Sequence, residues 1–326
     1  MNRLRLALDP FLLLLIGTVA LASFFPARGE AARIADWAAD AGIVLLFFLH
    51  GAKLSRDAIW TGAKAWKLHI AVLASTYALF PLIGVASQWI GAIPDTMRAG
   101  LLFLTLLPST VQSSIAFTAI ARGNVAAAVV SASASNLLGI VLTPLLVALL
   151  MPMPGSGGGL ISFDAIEKIM LQLLLPFIVG HLARPLIGAF VARHKAMIGR
   201  VDRGSILLVV YAAFSAAVVE GLWQSVSAGE MAVLAVACSL LLAVVLIATW
   251  GLGRMIGLSR EDAIVLQFCG SKKSLATGVP MAGLLFPAAM VGPILLPVML
   301  FHQIQLMACA LLARRYGAQL ADETHG

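Results

Sequence analysis

Residues 270–278 read GSKKSLATG. Lys272 and Lys273 are the only charged residues between Ala263 and Phe301. One lysine at the centre of a membrane helix costs about 2.5–3.5 kcal/mol on insertion scales. Two side by side therefore need a protein interior or a water-filled cavity around them.

The surroundings are those of a membrane protein. Of 326 residues, 61% are hydrophobic and 11% charged, against roughly 25% charged in soluble domains. Mean hydropathy is +0.99. The net charge of +7 does not indicate a nucleic-acid partner, because the basic residues fall in short segments between apolar runs. Cys238, Cys269 and Cys309 lie far apart in apolar segments. They have no zinc spacing and read as small buried hydrophobes.

A helical span needs roughly 20 mostly apolar residues. Ten such stretches are predicted, at about 10–26, 37–53, 67–91, 97–121, 124–150, 166–190, 204–222, 230–255, 262–285 and 288–313. The first follows a basic start and resembles a signal peptide, but the topology works best if it stays as a span. On one side of the membrane this places Arg3, Arg5, Lys53, Arg56, Lys64, Lys67, Arg122, Arg184, Arg193, Lys195, Arg200, Arg203, Arg254, Arg260, Arg314 and Arg315. The other side holds Arg28, Arg33, Arg98 and Lys168. The asymmetry predicts both termini in the cytoplasm of a bacterial-type inner membrane. The stretch MPMPGSGGGLISFD at 151–164 reads as a flexible linker. It divides the chain into a first repeat at 1–150, a linker at 151–165, a second repeat at 166–315 and a tail at 316–326. Five spans per half give an inverted repeat, a common transporter plan.

Spans 4 and 9 are interrupted at equivalent places. LTLLPSTVQSS (104–114) and LQFCGSKKSLATG (266–278) superpose with an offset of 162 residues, setting Pro108 on Gly270 and Ser109 on Ser271. Ser109 lies 11 residues after Arg98 and Lys272 lies 12 after Arg260. At about 1.5 Å per residue both breaks fall near the middle of a ~30 Å core. Broken backbone at that depth must be buried in protein or line a cavity. Ser109, Thr110, Gln112, Ser113 and Ser114 around one break, and Gln267, Ser271, Lys272, Lys273 and Ser274 around the other, are the candidate substrate or ion ligands. Ser131, Ser135 and Asn136 on span 5 are candidates beside them, with tight helix packing as the alternative for these small residues.

The lysines admit three functional readings: holding an anionic substrate, exchanging a proton, or filling a site that a metal ion would otherwise take. A structural pair with a carboxylate is the fourth reading. Adjacent helical positions point about 100° apart, so the two lysines are expected to differ in role. GSKKS lacks the earlier glycine of a phosphate-binding loop. With no HExxH, GxSxG or CxxC, an enzyme is not expected. His50, His181 and His302 read as hydrogen-bonded interior residues.

Ten spans, the interrupted pair, ARGNVA (121–126) and QFCGSKKSLATGVPMA (267–282) together resemble the sodium/bile acid cotransporter superfamily. They are most similar to its SBF-like branch, which also holds the divergent seventh member of the vertebrate bile acid transporter family. The resemblance covers essentially the whole chain. It implies a core of spans 3–5 and 8–10, a panel of spans 1–2 and 6–7, crossing helices 4 and 9, and a substrate cavity between core and panel. It implies alternating-access symport of an organic anion, and it places sodium ligands at Ser113, Ser114, Gln267 and Ser271, with Thr76 on a further sodium-binding position. Against that pattern, Gln267 stands where the family has a glutamate, Ala128 and Ala132 replace span 5 ligands, and Lys272 and Lys273 replace an Asn-Ser pair. A fixed cation 4 Å from a bound one repels it by roughly 4 kcal/mol at an effective dielectric near 20. The expectation is therefore a transporter of a small organic anion, with sodium or a proton as coupling ion and no other cofactor. An uncoupled uniporter or channel and a non-transporting membrane regulator are the alternatives.

Overall fold

A computed structural model describes residues 10–53, 65–89, 91, 93, 95–151 and 163–323. These residues form helices joined by short turns, with no strand among them. The helices are α1 (Pro10–Phe24), α2 (Glu30–Lys53), α3 (Trp66–Ser87), α4 (Asp95–Leu106), α5 (Gln112–Ile120) and α6 (Val125–Leu150). After the linker region come α7 (Phe163–Arg193), α8 (Lys195–Val219), α9 (Ala228–Met255), α10 (Arg260–Gly270), α11 (Leu275–Leu285) and α12 (Ala288–Glu323).

Among the described residues, six helical stretches are both long and apolar enough to cross a bilayer, within α3, α6, α7, α8, α9 and α12. Many large apolar side chains on them face outward, among them Leu182, Leu186, Leu240 and Ile247. That is the surface a lipid-embedded protein presents, and the chain is a multi-pass membrane protein. The remaining segments miss the test for identifiable reasons. α4 with α5, and α10 with α11, are each interrupted near the middle, so each half is short. α2 carries Glu30, Arg33, Asp36, Asp40 and Lys53.

Several boundaries differ from the sequence reading. α7 and α8 are separated by His194 alone, so most of the basic stretch expected as a loop at 191–203 is helical. Asp202 thereby becomes a buried helical carboxylate. α12 continues to Glu323, through most of the expected tail. Most of the expected linker lies outside the described residues.

Local chemistry explains the ends that matter. Ser227 and Glu230 form a reciprocal capping box at the start of α9. The ARGN stretch makes the α5–α6 turn: Arg122 adopts φ 57°, and Asn124 caps α6 by accepting from the Ala127 N–H at 3.0 Å. The Asn124 amide also donates to Asp262 at 2.9 Å, tying the start of α6 to the start of α10. α2 and α7 pack backbone to backbone. A Cβ on Gly51 would overlap Phe177 O, and one on Gly180 would overlap Phe48 O.

Candidate functional site

Breaking a membrane helix strands carbonyls that must find partners inside the protein. Every carbonyl from Thr105 to Ser109 has one, and each comes from elsewhere in the fold. Thr105 O and Leu107 O accept from Lys273 Nζ at 2.8 and 2.7 Å. Leu106 O accepts from Thr143 Oγ1 at 2.8 Å. Pro108 O accepts from the Ser274 N–H at 2.8 Å, and Ser109 O from Asn136 Nδ2 at 2.5 Å. The other break is answered in return. Cys269 O accepts from Ser109 Oγ at 2.5 Å and Phe268 O from Ser114 Oγ at 3.0 Å. The two interruptions therefore pack on one another, each supplying what the other lacks.

Lys273 is 1% exposed and sits at the centre of this exchange. Its third acceptor is Thr76 O at 2.8 Å, on the π-helical turn Ser75–Leu79 within α3. A π turn alters the usual carbonyl pairing and opens an acceptor to an outside donor. The Phe80 ring lies 4.2 Å from the ammonium. The peptide of Lys273 is also held. Its N–H donates to Gln305 Oε1, and its carbonyl accepts from Gln305 Nε2, both at 2.9 Å. With a cation at the end of α4, the arrangement favours the helix dipole as well.

Lys272 points elsewhere. It is fully buried, but its ammonium contacts Ser113 Oγ at 3.3 Å and the faces of Phe117 and Phe268 at 4.2 and 5.6 Å. The expected divergence of the two side chains is thus realised in α3/α4 on one side and α5 on the other. Neither lysine has a carboxylate partner. Among the described residues the ion pairs are Arg33–Glu30 and Lys53–Asp202.

A cavity of about 570 Å³ reaches the breaks from the side of α1, α2, α7 and α8. Thr110, Gln112, Ser113, Asn136, Ser274 and Thr277 line its inner end. Ser113 separates the cavity from Lys272. Phe11, Phe47, Phe177 and Ile140 supply apolar wall, and Lys53, Asp202 and Arg203 a charged one, with His50 beside them.

The other sequence candidates are placed as follows. Thr110 bonds the Ser113 and Ser114 hydroxyls at 2.9 Å each. Ser274 caps α11 and bonds Thr277, whose hydroxyl donates to Asn136 Oδ1 at 2.7 Å. Ser135 accepts from the Ser109 N–H at 3.0 Å, while Ser131 pairs with His69 at 2.8 Å, away from the breaks. Gln267 turns toward α9 and donates to Leu246 O at 2.9 Å. Ser271 donates to Gln267 O, and the Thr76 hydroxyl to Val72 O. Ser113 and Ser114 thus share Thr110 as a partner, whereas Gln267 and Ser271 bond main-chain carbonyls. Gln305, Thr143, Asp202 and Ser133 were not singled out from sequence. Ser133 shares the cavity face of α6 with Asn136 and Val129, a helical spacing that could have found it.

The model of the SBF-like CPA transporter family matches residues 9–318. The chain belongs to that family. It is 55% identical over 324 residues to "Uncharacterized protein PA2026" of Pseudomonas aeruginosa, covering 99% of this chain and 97% of the relative. It is 54% identical over 314 residues to "Putative symporter YfeH" of Escherichia coli, covering 96% and 94%. It is 25% identical over 275 residues to "Sodium/bile acid cotransporter 7" of Danio rerio, covering 83% and 81%. Family membership therefore bears out the resemblance read from GSKKSLATGVP and ARGN. In this SBF-like member the GSKKSLATG stretch joins α10 to α11 and packs the two interruptions onto each other.

Proposed function

We propose that the chain is a secondary transporter that moves a small organic anion across the inner membrane by alternating access. In this reading its ten spans form two inverted five-helix repeats, with both termini cytoplasmic. The helix pairings support the repeat. α1 packs on α8 and α7 packs on α2, and these two pairings exchange when the halves are exchanged. They also support a panel of α1, α2, α7 and α8 set against a core of the remaining helices, with α8–α12, α8–α11 and α6–α7 contacts between the two. The cavity lies along that boundary and ends at the breaks. Lys53 and Arg203 line the cavity and belong to the basic side of the chain, which supports a cavity that opens inward.

The observation that carries the mechanism is the binding of Lys273 Nζ by three main-chain carbonyls at 2.7–2.8 Å. Carbonyl oxygens converging on a buried cation are what an ion site offers. Here the cation is part of the chain, which supports a reading in which the lysine fills this position in place of sodium and leaves a proton as the coupling ion. Lys272, one hydroxyl behind the cavity wall, supplies the positive charge facing the anion.

The test compares melting in sodium and potassium chloride at equal ionic strength. Ligand binding to the folded state stabilises by about 2.7 kcal/mol at a hundredfold excess over Kd. The expected result is the same melting temperature in both salts. A sodium-specific rise would show that the hydroxyl and amide oxygens still make a sodium site and would overturn the tethered-cation reading.

A further inference from the structure

Asp202 stands on the cavity wall, on α8, with 8% of its surface exposed. One carboxylate oxygen is held by Lys53 of α2, while the other, Oδ1, has no hydrogen-bond partner. A buried carboxylate oxygen left unpaired is costly, and native proteins keep few such groups without a reason. α2 and α8 pack on each other within one helix group, so the Lys53–Asp202 pair is not a latch between moving parts. It is a fixed feature of the wall that a ligand meets.

The donors beside it are not exhausted. The Lys53 side chain is 34% exposed, and its ammonium has three N–H groups. Arg203 lies next along α8 and also lines the cavity, with its guanidinium 5.9 Å from the Phe11 ring. The wall thus offers cationic donors beside a carboxylate whose acceptor capacity is not used up. The oxygen held by Lys53 keeps a further lone pair, and a partial turn about the Cβ–Cγ bond of Asp202, a broad torsion, brings Oδ1 from its buried position toward the cavity.

We propose that Lys53, Arg203 and Asp202 form a two-point recognition site for a carboxylate that carries a hydrogen-bond donor on the adjacent carbon, as in a 2-hydroxy or 2-amino acid. Lys53 and Arg203 take the ligand carboxylate, and Asp202 takes its hydroxyl or ammonium. The apolar wall of Phe11, Phe47 and Phe177 takes the rest of the molecule. This rests on the organic-anion reading above and places a recognition point at the Lys53–Arg203 end of the cavity, which the ligand meets before it comes to face Lys272. A plain carboxylate would leave Asp202 as it stands. It would also bring a second negative charge beside Asp202, which the cationic donors must then share.

The test uses the purified full-length protein in nanodiscs and three acids of one shape: 3-phenylpropionate, 3-phenyllactate and phenylalanine. Binding is followed by titration calorimetry. A site built to hydrogen-bond a hydroxyl strongly rejects the analogue that lacks it. The expected result is at least tenfold tighter binding of phenyllactate or phenylalanine than of phenylpropionate. Asp202→Asn should reduce the preference for the ammonium over the plain acid to less than threefold. Equal affinities for the three acids in the unaltered protein would overturn the two-point site and leave the organic-anion reading standing. Binding of none of them would overturn both. The unaltered protein alone decides the matter should Asp202→Asn fail to fold.

Discussion

Truncating Lys273 to alanine tests the centre of the site. The ammonium donates to Thr76, Thr105 and Leu107 carbonyls at 2.7–2.8 Å, in a place 1% exposed. Each carbonyl left without a partner costs about 1–3 kcal/mol. Removing the buried charge returns part of that, because desolvating an ion costs several kcal/mol. The net loss expected is about 3–5 kcal/mol, as for breaking a buried ionic contact. At about 2–4 °C per kcal/mol for chains of 150–250 residues, melting should fall by on the order of 10 °C. A thiol-reactive dye can follow it, since Cys238, Cys269 and Cys309 are all buried until unfolding. The side chain lost beyond Cβ is a propylammonium. Propylammonium at a hundredfold excess over its Kd should restore about 2.7 kcal/mol, whereas tetramethylammonium, charged but without N–H, should restore none. Lys273→Met should melt near the alanine variant, because methionine restores packing but not the three bonds. Unchanged melting of the alanine variant, or equal rescue by both cations, would refute the reasoning.

Other expectations concern neighbouring contacts. Gln305→Leu removes both bonds to the Lys273 peptide and should cost about 2–4 kcal/mol from two unpaired buried groups, read as a lower melting temperature. Gly180→Ala sets a methyl against Phe48 O, backbone rather than a flexible side chain. It should destabilise by about 1–3 kcal/mol or more, and Gly51→Ala should behave alike; wild-type melting of either would mean that α2 and α7 are less closely apposed. Lys272→Met places an apolar chain between Phe117 and Phe268, so melting should change by less than about 1.5 kcal/mol. Anion uptake into proteoliposomes should nevertheless fall tenfold or more, since a unit charge at roughly 8 Å and an effective dielectric near 20 contributes about 2 kcal/mol. Full retention of uptake would remove Lys272 from the transport site.

Much of the site was legible because its defining letters are unusual in a membrane segment. Pro108, Gly270, the hydroxyls around them and the paired lysines mark both interruptions and their matching depth. The partners of Lys273 were not legible, since main-chain carbonyls have no letter of their own. The π turn that frees Thr76 O follows from packing, not from the composition of STYAL. Gln305 is a single amide in an apolar run, with nothing in its spacing to show that it holds the Lys273 peptide. Asp202 escaped notice for a different reason. Counting charges by loop places it at a membrane surface, whereas α7 and α8 continue as helices almost into each other and bring it to the cavity wall. Side-chain partners were equally illegible at the positions that the resemblance assigns to sodium. Gln267, for one, donates its amide to Leu246 O on α9.

The carbonyl nest around Lys273 has a consequence for where the protein can work. A site filled from solution has an occupancy that follows the medium, and it empties when that ion is scarce. A site filled by a residue of the chain is occupied from the moment the helices meet. On the tethered-cation reading proposed above, the two interruptions then meet alike in brine and in nearly salt-free water.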